Sequence, residues 1–241
     1  MNCQKCKAEN AKTYRYCNNC GSKLFDEPKD NYNTSVNKAK IFFFILLAYI
    51  GLLHVLKFES TYVTSLVCDI IFAVIVVVFF ILNYRVILPL IISRITNFKL
   101  LFMVLTALIA LAFLVSYTSD FLNHNVFNRT SNSYYEHYIN SPFPLLFSII
   151  SIAVFPAIFE EIAFRGILFN ELQKITSVSA TIIITTVLFT ILHFSLISFL
   201  WIFPIGMLFG YLRAKNNSLL YGIIGHFIYN SSIVLIEYFG I

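Results

Sequence analysis

The sequence predicts an all-α polytopic membrane protein with about seven transmembrane helices, preceded by a small four-cysteine zinc ribbon. Composition carries the first part of that reading. Of 241 residues, 59% are hydrophobic and only 12% charged, with a mean hydropathy of +0.79, whereas soluble domains carry about 25% charged residues. The apolar residues also arrive in runs near the ~20 residues that cross a ~30 Å hydrocarbon core. The first 24 residues share neither feature and carry paired cysteines instead.

Those cysteines stand as Cys3-Gln4-Lys5-Cys6 and, ten residues on, Cys17-Asn18-Asn19-Cys20-Gly21. Two CxxC hooks present four thiolates at the spacing of a tetrahedral zinc site, and so short a segment cannot fold around a core of its own. Gly21 suits the tight turn that closes such a knuckle. Disulfides are the competing reading, and they are disfavoured because no signal peptide precedes the hooks. Small zinc ribbons of this kind are similar to those at the N-termini of many prokaryotic membrane proteins. A structural zinc held by Cys3, Cys6, Cys17 and Cys20 is therefore expected over residues 1–24, with a cytoplasmic protein as the ribbon's partner. Residues 25–40 are polar and read as a linker.

The membrane domain is expected over 41–241. Its hydrophobic segments fall at about 41–56, 62–82, 100–117, 145–172, 179–197, 199–212 and 218–239, with residues 86–92 as an interfacial piece. Basic residues orient them. With the ribbon inside, the tail, the 82–100 connection, the end of the fourth segment and the 212–218 connection place fifteen Lys and Arg inside, leaving only Lys57 and Arg129 outside. The positive-inside rule then predicts a cytoplasmic N-terminus and an external C-terminus. The expected location is a prokaryotic plasma membrane.

Residues 155–166, Phe-Pro-Ala-Ile-Phe-Glu-Glu-Ile-Ala-Phe-Arg-Gly, place Glu160, Glu161 and Arg165 inside the longest apolar run. A charge at mid-membrane costs roughly 2.5–3.5 kcal/mol, so three together must pair or face a cavity. Glu161 and Arg165 are four residues apart with the acid first, the favourable order for an ion pair on one helix face. Glu160 lies about 100° away and is left to meet water or substrate. A purely structural ion network is the bland alternative, but a structural pair needs one acid, not two.

Two later segments add polar groups. Phe189-x-x-x-His193 and His226-x-x-x-Asn230 put imidazoles and an amide at helical spacing within apolar runs. Each alone is satisfied by an interhelical hydrogen bond worth about 0.6–2 kcal/mol. Together with the glutamates they point to a shared site. Asp69, beside Cys68, reads as a helix-packing hydrogen bond, and Cys68 as a small core residue.

Glu160-Glu161-x-x-x-Arg165, Phe189-x-x-x-His193 and His226-x-x-x-Asn230 occur in the order and spacing of the three motifs of the CPBP family, the CAAX proteases and bacteriocin-processing enzymes. The stretch Gly206–His226 also resembles that family's helix and turn leading into the third motif. The resemblance covers about 144–238. It implies an intramembrane endopeptidase acting on membrane-associated or lipid-modified peptides, with Glu160 as general base on a water. His193, His226 and Asn230 would place that water or stabilise the oxyanion.

A thermolysin-type zinc site would take two His and one Glu as ligands and need a second carboxylate as base. Spacing commits Glu161 to Arg165, so the inventory favours a glutamate-activated water over a catalytic metal. The competing readings are a non-catalytic scaffold or bacteriocin-immunity-type protein on the same fold, and, behind it, a transporter. No G-x-S-x-G elbow, HExxH helix or nucleotide-binding glycine loop occurs, and nucleic acid is not an expected partner. The lipid bilayer and a peptide or protein substrate are.

Overall fold

The computed structural model describes residues 1–10, 16–17, 19–24, 29–56, 61–126 and 133–240. Beyond the cysteine segment the described chain forms eight helices and one short 3-10 turn, Tyr135–Tyr138. The helices are α1 (Lys29–Leu56), α2 (Tyr62–Leu82), α3 (Tyr84–Ile91), α4 (Phe98–Asn125), α5 (Pro144–Gln173), α6 (Val178–Ile191), α7 (Leu196–Asn216) and α8 (Leu220–Phe239). Their ends follow from local chemistry. Thr61 and Thr64 form a reciprocal capping box at α2, Asn97 accepts from the Leu100 amide at α4, and Ser177 from the Ala180 amide at α6. Pro144 opens α5, and Gly240, at φ 64°, closes α8.

Five of these helices, α1, α2, α4, α5 and α8, are long and apolar enough to cross a membrane. Each of the seven hydrophobic segments becomes helical, but α6 has only 14 residues, about 21 Å at 1.5 Å per residue. The following helix α7 carries Pro204 and ends in a polar turn. Residues 86–92 fall largely in α3, whose eight residues cannot span. Part of the stretch read as a linker is helical, because α1 starts at Lys29 and no Gly or Pro interrupts it before Gly51. Residues 25–28 of that stretch, with Lys57 and Arg129, lie outside the described residues.

The side chains sort as a bilayer requires. Along α1 the buried positions are Ser35, Ala39, Phe42 and Leu46, and along α4 Val104, Leu108, Ala112 and Val115, the i, i+4 stripes of helices with one packed face. Large apolar residues such as Val67, Val74 and Ile81 of α2 and Phe102, Phe113 and Leu114 of α4 point outward, a lipid-facing belt that would be untenable in water. Helix α5 lies between two apolar clusters. One joins it to α1, α2 and α3; the other joins α4 to α7 and α8. Beyond α5, the α3 end is tied to the α7–α8 turn, where the Leu219 amide donates to the Leu90 carbonyl at 2.9 Å.

Candidate functional site

Proline explains the shape of α5. Pro156 has no N–H, so the carbonyl of Ile152, four residues back, loses its helical donor, and the ring would crowd that carbonyl in a regular helix. The helix widens to π geometry over Ile149–Val154, just before the proline. Asn230 of α8 then supplies the missing donor, its Nδ2 lying 2.8 Å from the Ile152 oxygen. An asparagine amide has two N–H groups, so one remains for another acceptor. A second π stretch, Ile162–Leu168, holds Arg165 and Gly166. Arg213 of α7 donates through Nε to the Arg165 carbonyl at 3.1 Å and through Nη2 to Asn170 Oδ1 at 3.1 Å.

Between the two π stretches sit the carboxylates. Glu161 is fully buried and accepts from Arg165 Nη1 at 3.0 Å. Arg165 also donates through Nη2 to the Gly206 carbonyl at 3.2 Å, and its guanidinium stands 4.5 Å over the Phe189 ring. Glu161 is held against α8 at Gly222, where a Cβ would come within 2.5 Å of Oε2. Glu160 is different. Its side chain keeps 23% of its surface while that of Glu161 keeps none, so only Glu160 can meet water or a ligand.

His226 spans the pair. Its Nδ1 lies 3.4 Å from Glu161 Oε1 and its Nε2 3.8 Å from Glu160 Oε2. Facing a carboxylate already bound to Arg165, Nδ1 is the donor, which leaves Nε2 toward Glu160. The 3.8 Å separation is too long for a direct hydrogen bond, and a water about 2.8 Å from both atoms would bridge it. Phe209 packs on the same imidazole, ring centroids 5.7 Å apart. On α8, Gly222, His226 and Asn230 therefore share one face, each four residues from the next, and meet α5 in antiparallel order.

His193 joins through an intermediary. It follows α6, is exposed, and its Nδ1 lies 3.0 Å from the Phe189 carbonyl. The Phe189 ring meets His193 edge-on at 4.9 Å and His226 at 6.3 Å. Glu160, Glu161, Arg165 and His226 thus form one contiguous cluster, with Asn230 attached through Ile152 and His193 through Phe189. The partners not singled out in the sequence are Gly206, Gly222, Ile152, Phe189 as a cation–π platform, and Arg213. Only Gly222 has a visible signal, its place one turn before His226.

The four cysteines form a separate polar centre. Their sulfurs all lie within 4.8 Å of one another, with Cys3–Cys20 at 3.7 Å and Cys6–Cys17 at 3.5 Å. A tetrahedral site with Zn–S near 2.3 Å has sulfur–sulfur edges of about 3.8 Å, so the set fits zinc. The knuckles are alike: Lys7 N–H donates to the Cys3 carbonyl and Gly21 N–H to that of Cys17, both at 2.9 Å, with φ of 62° and 70° at Lys7 and Gly21. The Ser22 hydroxyl, 3.2 Å from Cys3 Sγ and 3.0 Å from Cys20 Sγ, draws both thiols below their ordinary pKa, Cys3 to about 6. Among the described residues no other group of three or more His, Cys, Asp or Glu gathers at such distances; Glu160, His193 and His226 are not drawn together as metal ligands are.

Residues 142–232 match the family model described as Type II CAAX prenyl endopeptidase Rce1-like. No curated protein and no solved structure matches the chain.

Proposed function

From the match of residues 142–232 to the Rce1-like family model, we propose that the chain is a CPBP-family intramembrane endopeptidase in which Glu160 activates water. The observation that carries this reading is His226 set between two unlike carboxylates, one sealed by Arg165 and one open. A water in the Glu160–His226 gap gives one O–H to each. As its oxygen bonds to the scissile carbonyl carbon, Glu160 takes the proton, and the carbonyl becomes an oxyanion. The second N–H of Asn230 is available to that oxyanion, fixed in direction because the first is held by Ile152. Glu160 then passes its proton to the departing amine nitrogen as the C–N bond breaks. His193, its Nδ1 turned to the Phe189 carbonyl, offers Nε2 as an acceptor that orients the water or the amine.

The substrate is a peptide in or at the bilayer. The N-terminus is cytoplasmic on the charge distribution, and α6 with α7, joined by four residues, does not disturb that count, whether the pair crosses fully or re-enters. The four-cysteine cluster takes a structural zinc and serves interaction with a cytoplasmic partner rather than catalysis.

The test is Glu160→Gln in purified protein reconstituted in vesicles and assayed on internally quenched peptides. Cleavage is expected to vanish with thermal unfolding unchanged, because the amide keeps size but cannot accept the proton. Full turnover by the folded variant would remove Glu160 as base. A scaffold reading gains support if the wild type cleaves none of a broad peptide set.

A further inference from the structure

A cavity of about 390 Å³ lies between the end of α1, the first turns of α2, the segment before α5 and the first turns of α5. That is within the about 300–1,000 Å³ of small-molecule sites. None of the catalytic candidates lines it. Asp69 does, and its carboxylate accepts a hydrogen bond from the Ser151 hydroxyl. The hydrogen bond to a neighbouring helix agrees with the bland reading of Asp69, but the cavity beside it does not follow from packing.

Among the described residues the lining is one-sided in charge. Thr64, Ser65 and Tyr138 add hydroxyls around Asp69, Leu53 and Ile152 add apolar wall, and His137 is the only basic side chain among the described residues of the wall. No described Lys or Arg lines it, and among the described residues Asp69 has no ion-pair partner. The other acid in its neighbourhood, Glu160, adds to the negative field. An intramembrane carboxylate with acceptors around it, an apolar approach and room for a side chain is built for a cation with several N–H donors on a hydrocarbon stem.

The cavity also adjoins the catalytic cluster. Ile152 lines it and its carbonyl holds Asn230. Ser151 and Glu160 are nine residues apart on α5, about 13 Å along the helix, which an extended peptide at about 3.3 Å per residue covers in about four residues. We propose that this cavity is a substrate subsite for a cationic side chain, Lys or Arg, about four residues from the scissile bond, with Asp69 as its counter-charge. It rests on the peptidase reading above.

The experiment uses ten-residue quenched peptides that carry Lys at one position in turn, with Gln at that position as control. Asp69→Asn keeps an oxygen for the Ser151 hydroxyl and removes only charge, so the fold is preserved. For the peptide with Lys at the favoured position, kcat/KM is expected to fall about tenfold or more, chiefly in KM, and the Gln peptide to be indifferent. Asp69→Lys should reverse the preference toward Glu at the same position. Equal losses for Lys and Gln peptides, or no charge preference in the wild type, would overturn the subsite. Binding of fluorescein-labelled Lys and Gln peptides to the Glu160→Gln protein separates the two readings. If the wild type cleaves nothing yet the Lys peptide binds Glu160→Gln more tightly, and Asp69→Asn abolishes that difference, the subsite stands and the peptidase reading falls. If cleavage occurs without charge preference, the reverse holds.

Discussion

The cysteine cluster takes its ligands from two four-residue hooks that together span 18 residues, Cys3 to Cys20, and little else described in that segment is buried. The membrane cluster draws on α5, α6 and α8, with Glu161 and His226 separated by 65 residues and Ile152 and Asn230 by 78. The first can be read from spacing because the backbone turn that sets the ligands is local. The second is assembled by packing, so spacing reveals its members but not their partners. The energetic consequence differs too. On the zinc reading, a cysteine segment without a core depends on one ion, while the membrane cluster is distributed over many groups that fail separately.

Removing the zinc proposed for the cysteine cluster gives the largest expected effect. Structural zinc contributes an apparent ~10–16 kcal/mol in small zinc domains, so a strong chelator should unfold residues 1–24 completely, read as protease sensitivity confined to that segment and loss of about one zinc per chain. Far-UV circular dichroism of the helical domain and peptide cleavage should not change. Loss of cleavage on chelation in a chain lacking residues 1–24, restored by zinc or cobalt, would instead make Glu160 a metal ligand with His193 and His226.

Glu161→Gln comes next, and it acts on the other side of the comparison. It leaves Arg165 buried and unpaired, and breaking one side of a buried pair costs about 3–5 kcal/mol. Thermal unfolding of the membrane domain should drop while zinc content stays the same. An unchanged unfolding temperature would mean that the Gly206 carbonyl and the Phe189 face suffice for Arg165.

Much of this cluster is legible in the sequence because charge in an apolar run has few explanations. Glu161 and Arg165 declare themselves by their four-residue spacing, and His226 and Asn230 by theirs. Gly206 does not, and Gly222 does so only by standing one turn before His226, since what matters at both is the absence of a Cβ opposite a side chain from another helix. Arg213 reads as a positive-inside charge and yet is 2% exposed, its donors taken by carbonyl and amide oxygens that no hydropathy pattern reveals. The number of spans is hard to read for a related reason. Hydrophobicity marks a segment as buried in lipid or protein, and α6, packed on α7, is too short to tell which from composition.

Gly222→Ala probes a smaller effect. The added methyl meets Glu161 Oε2 at 2.5 Å, and overpacking of this size costs about 1–3 kcal/mol. Either α8 moves away from α5 or the Glu161 carboxylate shifts from its place beside Arg165 and His226; both disturb the Glu160–His226 geometry, so cleavage should fall more than stability does. Equal stability and activity in this variant would show that α8 has freedom the contact denies.

The smallest expected effect isolates a single hydrogen bond, and its stability readout needs no substrate. Asn230→Ala in the wild type removes the amide that stands in for the missing Pro156 N–H at the partly buried Ile152 carbonyl, and leaving such an acceptor unsatisfied costs up to about 1–3 kcal/mol. Pro156→Ala restores an N–H four residues after Ile152 and lets the π stretch close toward a regular helix, so by itself it should be near neutral in stability. In that background Asn230 has lost its acceptor, and Asn230→Ala should then cost only about half as much or less. The double-mutant cycle on unfolding free energy is therefore expected to show coupling of about 1 kcal/mol between residues on different helices. Cleavage by Pro156→Ala should fall through kcat with KM little changed, because the freed amide no longer points where charge develops. Additive stabilities would show that Pro156 and Asn230 act independently, and that the carbonyl of Ile152 is not what aims the amide at the site.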